Sequence, residues 1–173
     1  MIQVLRSTKK KEAVSEVTKK FLTFGLGSEV YAIDILKVQE IKANVADINT
    51  IKIAKAPAYF AGLVDLHGVI VPIIDLRIFY NLITNDRINF KVFIILNVNN
   101  NAIGIVIDEV LELIELTEQQ VKSPPDIFSV IDKNFISGLG YKNNQVYIIL
   151  DVEKMILKEF KMIEDIKKKS TSN

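Results

Sequence analysis

The chain has 173 residues, contains no cysteine and no tryptophan, and has a single histidine, His67. Without thiols there can be no disulfide, no thiolate metal site and no cysteine nucleophile. One imidazole and no cysteine also leave no credible zinc site. We therefore expect neither a metal nor a cofactor.

An excess of charge of one sign is missing as well, because 22 Lys and Arg stand against 21 Asp and Glu. Nonspecific binding to phosphates depends on a surplus of positive charge, so we expect no nucleic-acid partner. The N-terminus lacks the apolar segment of a secretory signal, and no apolar run approaches the ~18 residues of a membrane span. These absences predict a cytoplasmic protein with no direct membrane insertion.

The chain does contain short apolar runs that are rich in β-branched residues and are separated by turn residues. The runs are FLTFGL, VYAIDI, VIVPIIDL, KVFIILNV, AIGIVID and QVYIIL. Their length and composition favour strands over helices. Asn and Gly tolerate the positive φ of tight turns, so hairpins are predicted at His67-Gly68, at Asn99 to Asn101 and at Asn143-Asn144. The predicted fold class is all-β.

The sequence also contains an internal repeat, which relates two pairs of segments. One shift of the chain places Phe21 to Ile41 over Phe93 to Leu113 without a gap, and a slightly longer shift places Gly62 to Leu76 over Gly138 to Val152. Any two alternating strand pairs can align by chance, which is the alternative interpretation. We favour the duplication of a small β unit, each copy being hairpin, connection, hairpin.

One segment has helical periodicity. In DVEKMILKEFKMIEDIKKK the apolar residues from Val152 to Ile166 recur at spacings of three and four, with lysines on the remaining face. This predicts a C-terminal amphipathic helix with Asp151 as its N-cap. Asp75 is the equivalent cap of a shorter helix predicted over Leu76 to Tyr80.

Signatures of catalysis are absent from the sequence. It has no Walker loop and no GxSxG, and its GxG pairs lack the third glycine of a dinucleotide fingerprint. A catalytic triad would have to use His67, which lies in a predicted turn and is poorly placed for one. We therefore predict a non-enzymatic binding module and keep an enzyme using His67 as the alternative.

Five stretches carry a resemblance to a known family. In order, they are FLTFGLGSEVYAIDILKVQEI, PAYFAGLVDLHGVIVPIIDLR, GIVIDEV, FISGLGY and ILDVEKM. Over about Phe21 to Ile156 they resemble the corresponding stretches of CheW, the family of bacterial chemotaxis coupling proteins. The resemblance implies two SH3-like five-stranded β-barrels in tandem, followed by the C-terminal helix.

The resemblance also gives the expected organisation of the chain. We expect a flexible N-terminal tail over residues 1–20 and a single CheW-like domain over 21–157. Within it, the barrels are expected at about 21–85 and 86–157, with exchange of strands between them left open. Residues 158–173 are expected to form the end of the helix and a tail.

The function implied by the resemblance is that of an adaptor. Members of the family couple the cytoplasmic tips of chemoreceptors to the CheA histidine kinase and so control its autophosphorylation. The chain is then expected to be recruited to membrane-associated receptor arrays and to be a monomer when free. The alternative is a scaffold module that binds only the receptors or only the kinase.

The family also implies which residues make the contacts. The kinase contact is expected at Val38, Glu40, Ile41, Gly62, Asp65 and His67. The receptor contact is expected at Gly104, Asp108 and Leu113. Other interpretations stay open, because the three aliphatic residues fit a core and the two glycines fit bulges in strands.

His67 departs from the family, which usually has arginine at this position of the hairpin. An imidazole with an ordinary pKa of about 6.5 replaces a permanent charge. If His67 faces Glu40, as the family's arginine does, the carboxylate is expected to raise the pKa of the imidazole. The alternative is an exposed turn histidine without a partner.

Overall fold

The computed structural model describes residues 16–43, 50–82, 92–126 and 133–170. In these ranges it contains eleven strands and two α-helices. The strands are β1 (Thr18–Leu26), β2 (Glu29–Asp34), β3 (Val38–Ala43), β4 (Phe60–Leu66), β5 (Val69–Asp75), β6 (Val92–Val98), β7 (Asn101–Ile107), β8 (Glu109–Thr117), β9 (Val121–Lys122), β10 (Ile136–Lys142) and β11 (Gln145–Leu150). The helices are α1 (Leu76–Phe79) and α2 (Val152–Ser170).

Strands therefore dominate, and the prediction of an all-β fold of two SH3-like barrels with a C-terminal helix is confirmed. β1 begins at Thr18, inside the stretch expected as a tail, whereas residues 1–15 lie outside the described ranges. No described helix is long and apolar enough to cross a membrane.

Two sheets form the molecule. The six-stranded sheet has the order β8-β1-β2-β11-β10-β9, and the five-stranded sheet has the order β3-β6-β7-β5-β4. Neighbouring strands are antiparallel except for two parallel pairs, β2 with β11 and β5 with β7. In each sheet the parallel pair joins one hairpin to another from a distant part of the chain.

The sequence repeat reappears as a structural repeat. The shift that aligns Gly62 with Gly138 also carries both ends of β4 onto those of β10 and the start of α1 onto the start of α2. β1, β2 and β3 of the first repeat correspond to β6, β7 and β8 of the second. The six-stranded sheet takes the hairpin β1–β2 from the first repeat and its other strands from the second. The five-stranded sheet takes the hairpin β6–β7 from the second repeat and its other strands from the first. The division expected near residue 85 therefore does not separate the sheets, because strands are exchanged across it.

Tight turns close the hairpins at the positions expected from the sequence. Both residues of the turn have positive φ at His67-Gly68 (56° and 84°), at Asn99-Asn100 (52° and 63°) and at Asn143-Asn144 (50° and 60°). Two successive residues with positive φ are the requirement of a type I′ turn, whose twist matches that of paired strands.

The largest apolar cluster lies between the sheets and includes residues from both of them and from α2. Two smaller clusters fill the barrels, one around Val71, Ile73 and Phe93 and the other around Phe21 and Ile149. Both helices begin after the expected caps. The Asp75 side chain accepts a hydrogen bond from the Arg77 amide, and the Asp151 side chain accepts one from the Lys154 amide. The helix α2 covers the cluster between the sheets with Val152, Met155, Ile156 and Phe160.

The strand exchange predicts that the halves of the chain do not fold separately. We expect fragments 1–85 and 86–173 to be largely unfolded alone, because each lacks strands that complete its sheet. Mixed in equal amounts, they are expected to recover the native spectrum. Amide chemical-shift dispersion in NMR spectra of each fragment and of the mixture is the measurement, with the intact chain as reference. A well-dispersed spectrum from either fragment alone would contradict the exchange.

Candidate functional site

The expected kinase-contact residues all lie on the two edge strands of the five-stranded sheet or in the turn that follows one of them. Val38, Glu40 and Ile41 are on β3, Gly62 and Asp65 are on β4, and His67 is in the β4–β5 turn. The structure thus brings together two segments that are well separated in sequence.

A groove of about 490 Å³ lies on this surface, and Glu40 and His67 both contribute to it. Its floor is mostly apolar and its rim is rich in amide side chains. The lining residues are Gln39, Glu40, Leu66, His67, Val69, Ile70, Val71, Pro72, Ile95, Asn97, Asn100, Asn101, Ala102 and Phe160. Val69 and Ile70 are more than half exposed. Exposed apolar side chains beside a polar rim are typical of protein-binding surfaces.

Glu40 is paired with Lys42, whose Nζ lies 2.8 Å from the Glu40 Oε1. The two residues face Ile95 and Phe93 across the β3–β6 ladder and therefore lie on the side of the barrel core. The hydrogen bond from Lys42 holds the pKa of the Glu40 carboxyl below its usual value, and His67 acts in the same direction more weakly. The ion pair thus covers the open edge of this barrel with charge.

The pairing expected between His67 and Glu40 is therefore replaced by the pair with Lys42. In the described part of the chain no ion pair joins His67 to a carboxylate. His67 is exposed in its turn, where Asp65 Oδ1 accepts a hydrogen bond of 2.7 Å from the Gly68 amide. This hydrogen bond to the turn explains why an aspartate is found at position 65. The Asp65 side chain is nevertheless exposed to solvent.

The two aliphatic candidates on β3 have different surroundings. Val38 is half-buried and packs against the core between the sheets. Ile41 is 44% exposed although its partner in the ladder, Ile94, is fully buried. Ile41 is therefore the better placed of the two for contact with another protein.

Gly62 is buried and has φ of +138°, a conformation that L side chains rarely adopt. A Cβ there would lie 2.3 Å from Thr50 Cγ2 and 2.8 Å from the backbone oxygen of Ile51. Ile51 makes two backbone hydrogen bonds to Leu63, each of 2.8 Å, and so forms an antiparallel bridge with β4 at this point. Gly62 allows the backbone at Ile51 to approach β4 this closely, and its own buried position offers no side chain to a partner.

The three expected receptor-contact residues are not brought together. Gly104 is buried in the five-stranded sheet, where a Cβ would lie 2.3 Å from Ile73 Cδ1. Asp108 already accepts from Arg77 Nη1 and from the Gly27 amide, at 2.8 Å each. Leu113 is on the six-stranded sheet and is 59% exposed. Of the three, Leu113 presents the most side chain to a partner.

Other residues of this surface were missed from the sequence. Lys42 is two residues from Glu40 on one strand, and this spacing places both on one face, a signal that was available. Gln39 is the extra residue of a bulge between Val38 and Glu40 and accepts a hydrogen bond of 3.1 Å from Asn97 Nδ2. The contribution of Phe160 depends on where α2 packs, and no local pattern in the sequence indicates it.

Comparison with known proteins identifies relatives over most of the chain. A family model described as CheW-like domain matches residues 20–160. The chain is 37% identical over 153 residues to the chemotaxis protein CheW of Klebsiella aerogenes, covering 88% of this chain and 90% of that protein. It is 34% identical over 147 residues to the chemotaxis protein CheW of Treponema pallidum, covering 83% and 85% respectively.

A solved structure has the same fold. The crystal structure of the scaffolding protein TtCheW from Thermoanaerobacter tengcongensis matches with a TM-score of 0.71 and 28% identity. The match covers 78% of this chain and 90% of that one. The arrangement of two barrels is therefore shared with a protein described as a scaffold.

The geometry at Gly62 predicts a large loss of stability in Gly62→Ala. The methyl group meets the backbone of Ile51 in a φ region unsuited to alanine, so we expect a loss of about 2–4 kcal/mol. Gly25→Ala is the matched control, because the nearest atoms to its Cβ, at 3.2 Å, belong to the flexible side chain of Glu109. Urea unfolding of both variants measures the difference, and equal losses would contradict this role of Gly62.

Proposed function

The chain belongs to the CheW-like domain family, and on that basis we propose that it is a non-enzymatic adaptor in bacterial chemotaxis. It couples the cytoplasmic tips of chemoreceptors to the CheA histidine kinase and so controls kinase autophosphorylation. It acts in the cytoplasm and is recruited to membrane-associated receptor arrays. Free in solution it is a monomer. No cofactor takes part, since both contacts are made by protein surfaces.

The observation that carries the proposal is the groove on the five-stranded sheet. Glu40 and His67, which the family resemblance assigns to the kinase contact, both line one groove that also has exposed apolar residues. Such a groove offers apolar area for affinity and a polar rim for specificity. We assign the regulatory domain of CheA to this surface.

The receptor is assigned to the other sheet. Leu111 and Leu113 on β8 are 44% and 59% exposed, and a bulge in the pairing with β1 lies between Val110 and Leu113. Exposed leucines on a strand offer apolar area to a receptor tip. With the kinase surface on one sheet and the receptor surface on the other, both partners can be bound at once.

A scaffold that binds only one of the two partners is the second candidate. The solved relative is described as a scaffolding protein, a description that specifies neither a receptor nor a kinase. Reconstitution separates the candidates. A receptor cytoplasmic fragment, CheA and this chain are mixed, and kinase autophosphorylation is measured with and without the receptor. Receptor-dependent kinase activity supports the adaptor, whereas binding of one partner alone supports the scaffold.

Charge reversal at Glu40 is expected to weaken kinase binding. Glu40→Lys places two lysines side by side at the rim of the groove, so we expect at least about tenfold weaker binding, or about 1.4 kcal/mol. The measurement is isothermal titration calorimetry with the CheA regulatory domain. Glu115→Lys is the matched control, because Glu115 is an exposed carboxylate paired with Lys20 on the other sheet.

The charge-swapped variant Glu40→Lys/Lys42→Glu separates binding from stability. It restores an ion pair on β3 while it reverses the charge at each position. We expect its unfolding midpoint to return toward that of the parent while binding stays weak. Recovery of binding would mean that Glu40 acts through the fold and is not recognised by the kinase.

Replacement of Leu113 on β8 is expected to weaken binding of the receptor only. Leu113→Asp should weaken binding of a receptor cytoplasmic fragment by about tenfold or more and leave kinase binding unchanged, because the kinase groove is on the other sheet. Leu157→Asp on α2 is the matched control, since Leu157 is similarly exposed at 53%. Receptor binding is measured by co-sedimentation. If Leu113→Asp binds the receptor fragment as well as the parent does, the receptor surface lies elsewhere on the molecule.

A further inference from the structure

The chain passes between the two sheets at short crossings. β2 of the six-stranded sheet ends at Asp34, and the 3-10 turn Ile35–Lys37 leads into β3 of the five-stranded sheet. In the second repeat, Asp108 alone separates β7 of the five-stranded sheet from β8 of the six-stranded sheet. Any rotation of one barrel relative to the other has to be absorbed largely at these few residues.

An ion pair holds the crossing at Asp108. Its Oδ1 lies 2.8 Å from Nη1 of Arg77, a residue of α1 that is only 9% exposed. Its Oδ2 accepts from the Gly27 amide in the β1–β2 turn of the six-stranded sheet. Asp75, which is 1% exposed, lies 3.7 Å from Arg77 Nε. The cluster therefore connects the end of β5 in one sheet to the β1–β2 turn in the other.

A second ion pair holds the other crossing. Lys37, in the turn between β2 and β3, contacts Glu153 in the first turn of α2. The Glu153 hydrogen bond is the main cause that raises the pKa of Lys37. This pair is more exposed than the first, with 32% and 54% of the two side chains accessible.

The repeat relates the two ion pairs. Arg77 and Glu153 are each the second residue of their helix, so they occupy the same position in the first turn of α1 and of α2. Lys37 corresponds to Glu109, the neighbour of Asp108, by the shift that aligns Phe21 with Phe93. In both repeats the first turn of the helix is thus bound to a crossing, with a cation on the helix in one and an anion in the other.

From this arrangement we infer that Arg77 and Lys37 are positioning residues that fix the two barrels relative to each other. The apolar core between the sheets is large, but apolar contacts are not directional and allow side chains to repack. Charge-assisted hydrogen bonds require defined distances and angles, and these two lie at the crossings. They set the orientation that the core alone leaves less strictly defined.

The orientation can be measured in the full-length chain, because it has no cysteine of its own to interfere with labelling. Cysteines are introduced at Ala43 on β3 and at Gln145 on β11, which are exposed and lie on different sheets. Pulsed electron paramagnetic resonance between spin labels then gives the distance distribution between the barrels. Parent, Arg77→Met and Lys37→Met are compared under identical conditions.

We expect each variant to shift or broaden the distribution by about 2 Å or more, the scale of displacements between packed elements. The swap Lys37→Glu/Glu153→Lys is expected to restore the parent distribution, because it rebuilds the pair. Lys20→Met is the matched control, since its pair with Glu115 lies within one sheet. Distributions identical to the parent in folded Arg77→Met and Lys37→Met would overturn the inference.

A variant that does not fold is replaced by a milder one. Loss of Arg77 leaves nearby carboxylates without a cation, so circular dichroism is recorded first. If Arg77→Met is unfolded, Asp108→Asn is used, because the amide oxygen can still accept from Gly27 while the charge is removed. An unchanged distribution in folded Asp108→Asn and Lys37→Met counts against the inference.

The consequence for signalling rests on the proposed function. If both partners are held at once, altered orientation should reduce receptor-dependent kinase activity about tenfold while binding of each partner alone stays within about twofold of the parent. A changed distance distribution with normal receptor-dependent activity would leave the positioning role intact and contradict its link to coupling. If the parent chain fails to bind the receptor fragment or fails to bind CheA, that result would instead contradict the proposed function.

Discussion

The apolar core between the sheets is the interaction on which the rest of the structure depends. It includes fully buried residues of both sheets, among them Phe24, Ile33, Ile94 and Leu96, together with Met155 of α2. Because each sheet combines strands of both repeats, neither barrel is complete without the other half of the chain. Exchange makes the two barrels parts of one cooperative unit, so a change imposed on one barrel acts on a body that includes the other.

The sequence predicted the repeating elements well, for identifiable reasons. Turns with Asn-Asn and His-Gly pairs, caps such as Asp75 and Asp151, and alternating apolar runs are local signals, and each was found at the expected position. The pairing of strands between the halves is not local. Two corresponding hairpins have nearly equivalent patterns, so the pattern alone does not say which half a hairpin joins, and only packing decides it.

The candidate site was predictable to a lesser extent for the same reason. The family resemblance pointed to β3 and the β4–β5 hairpin, and the structure places them at a common groove. The resemblance did not indicate that Glu40 forms an ion pair with Lys42 or that Asp108 forms one with Arg77. These partners depend on side-chain direction and on the crossing between sheets, which the order of residue types does not encode directly.

Duplication also explains how one small chain can present two unlike surfaces. A second groove, of about 510 Å³, lies on the six-stranded sheet and is lined by Thr23, Val30, Leu111, Glu112, Asn143, Gln145 and Tyr147. By the two shifts of the sequence repeat, each of these residues corresponds to a lining residue of the first groove. Their chemistry differs, however, because Thr23 and Tyr147 stand where the first groove has Ile95 and Val71. A site repeated in position but changed in polarity favours different partners, which is the property that an adaptor between two proteins requires.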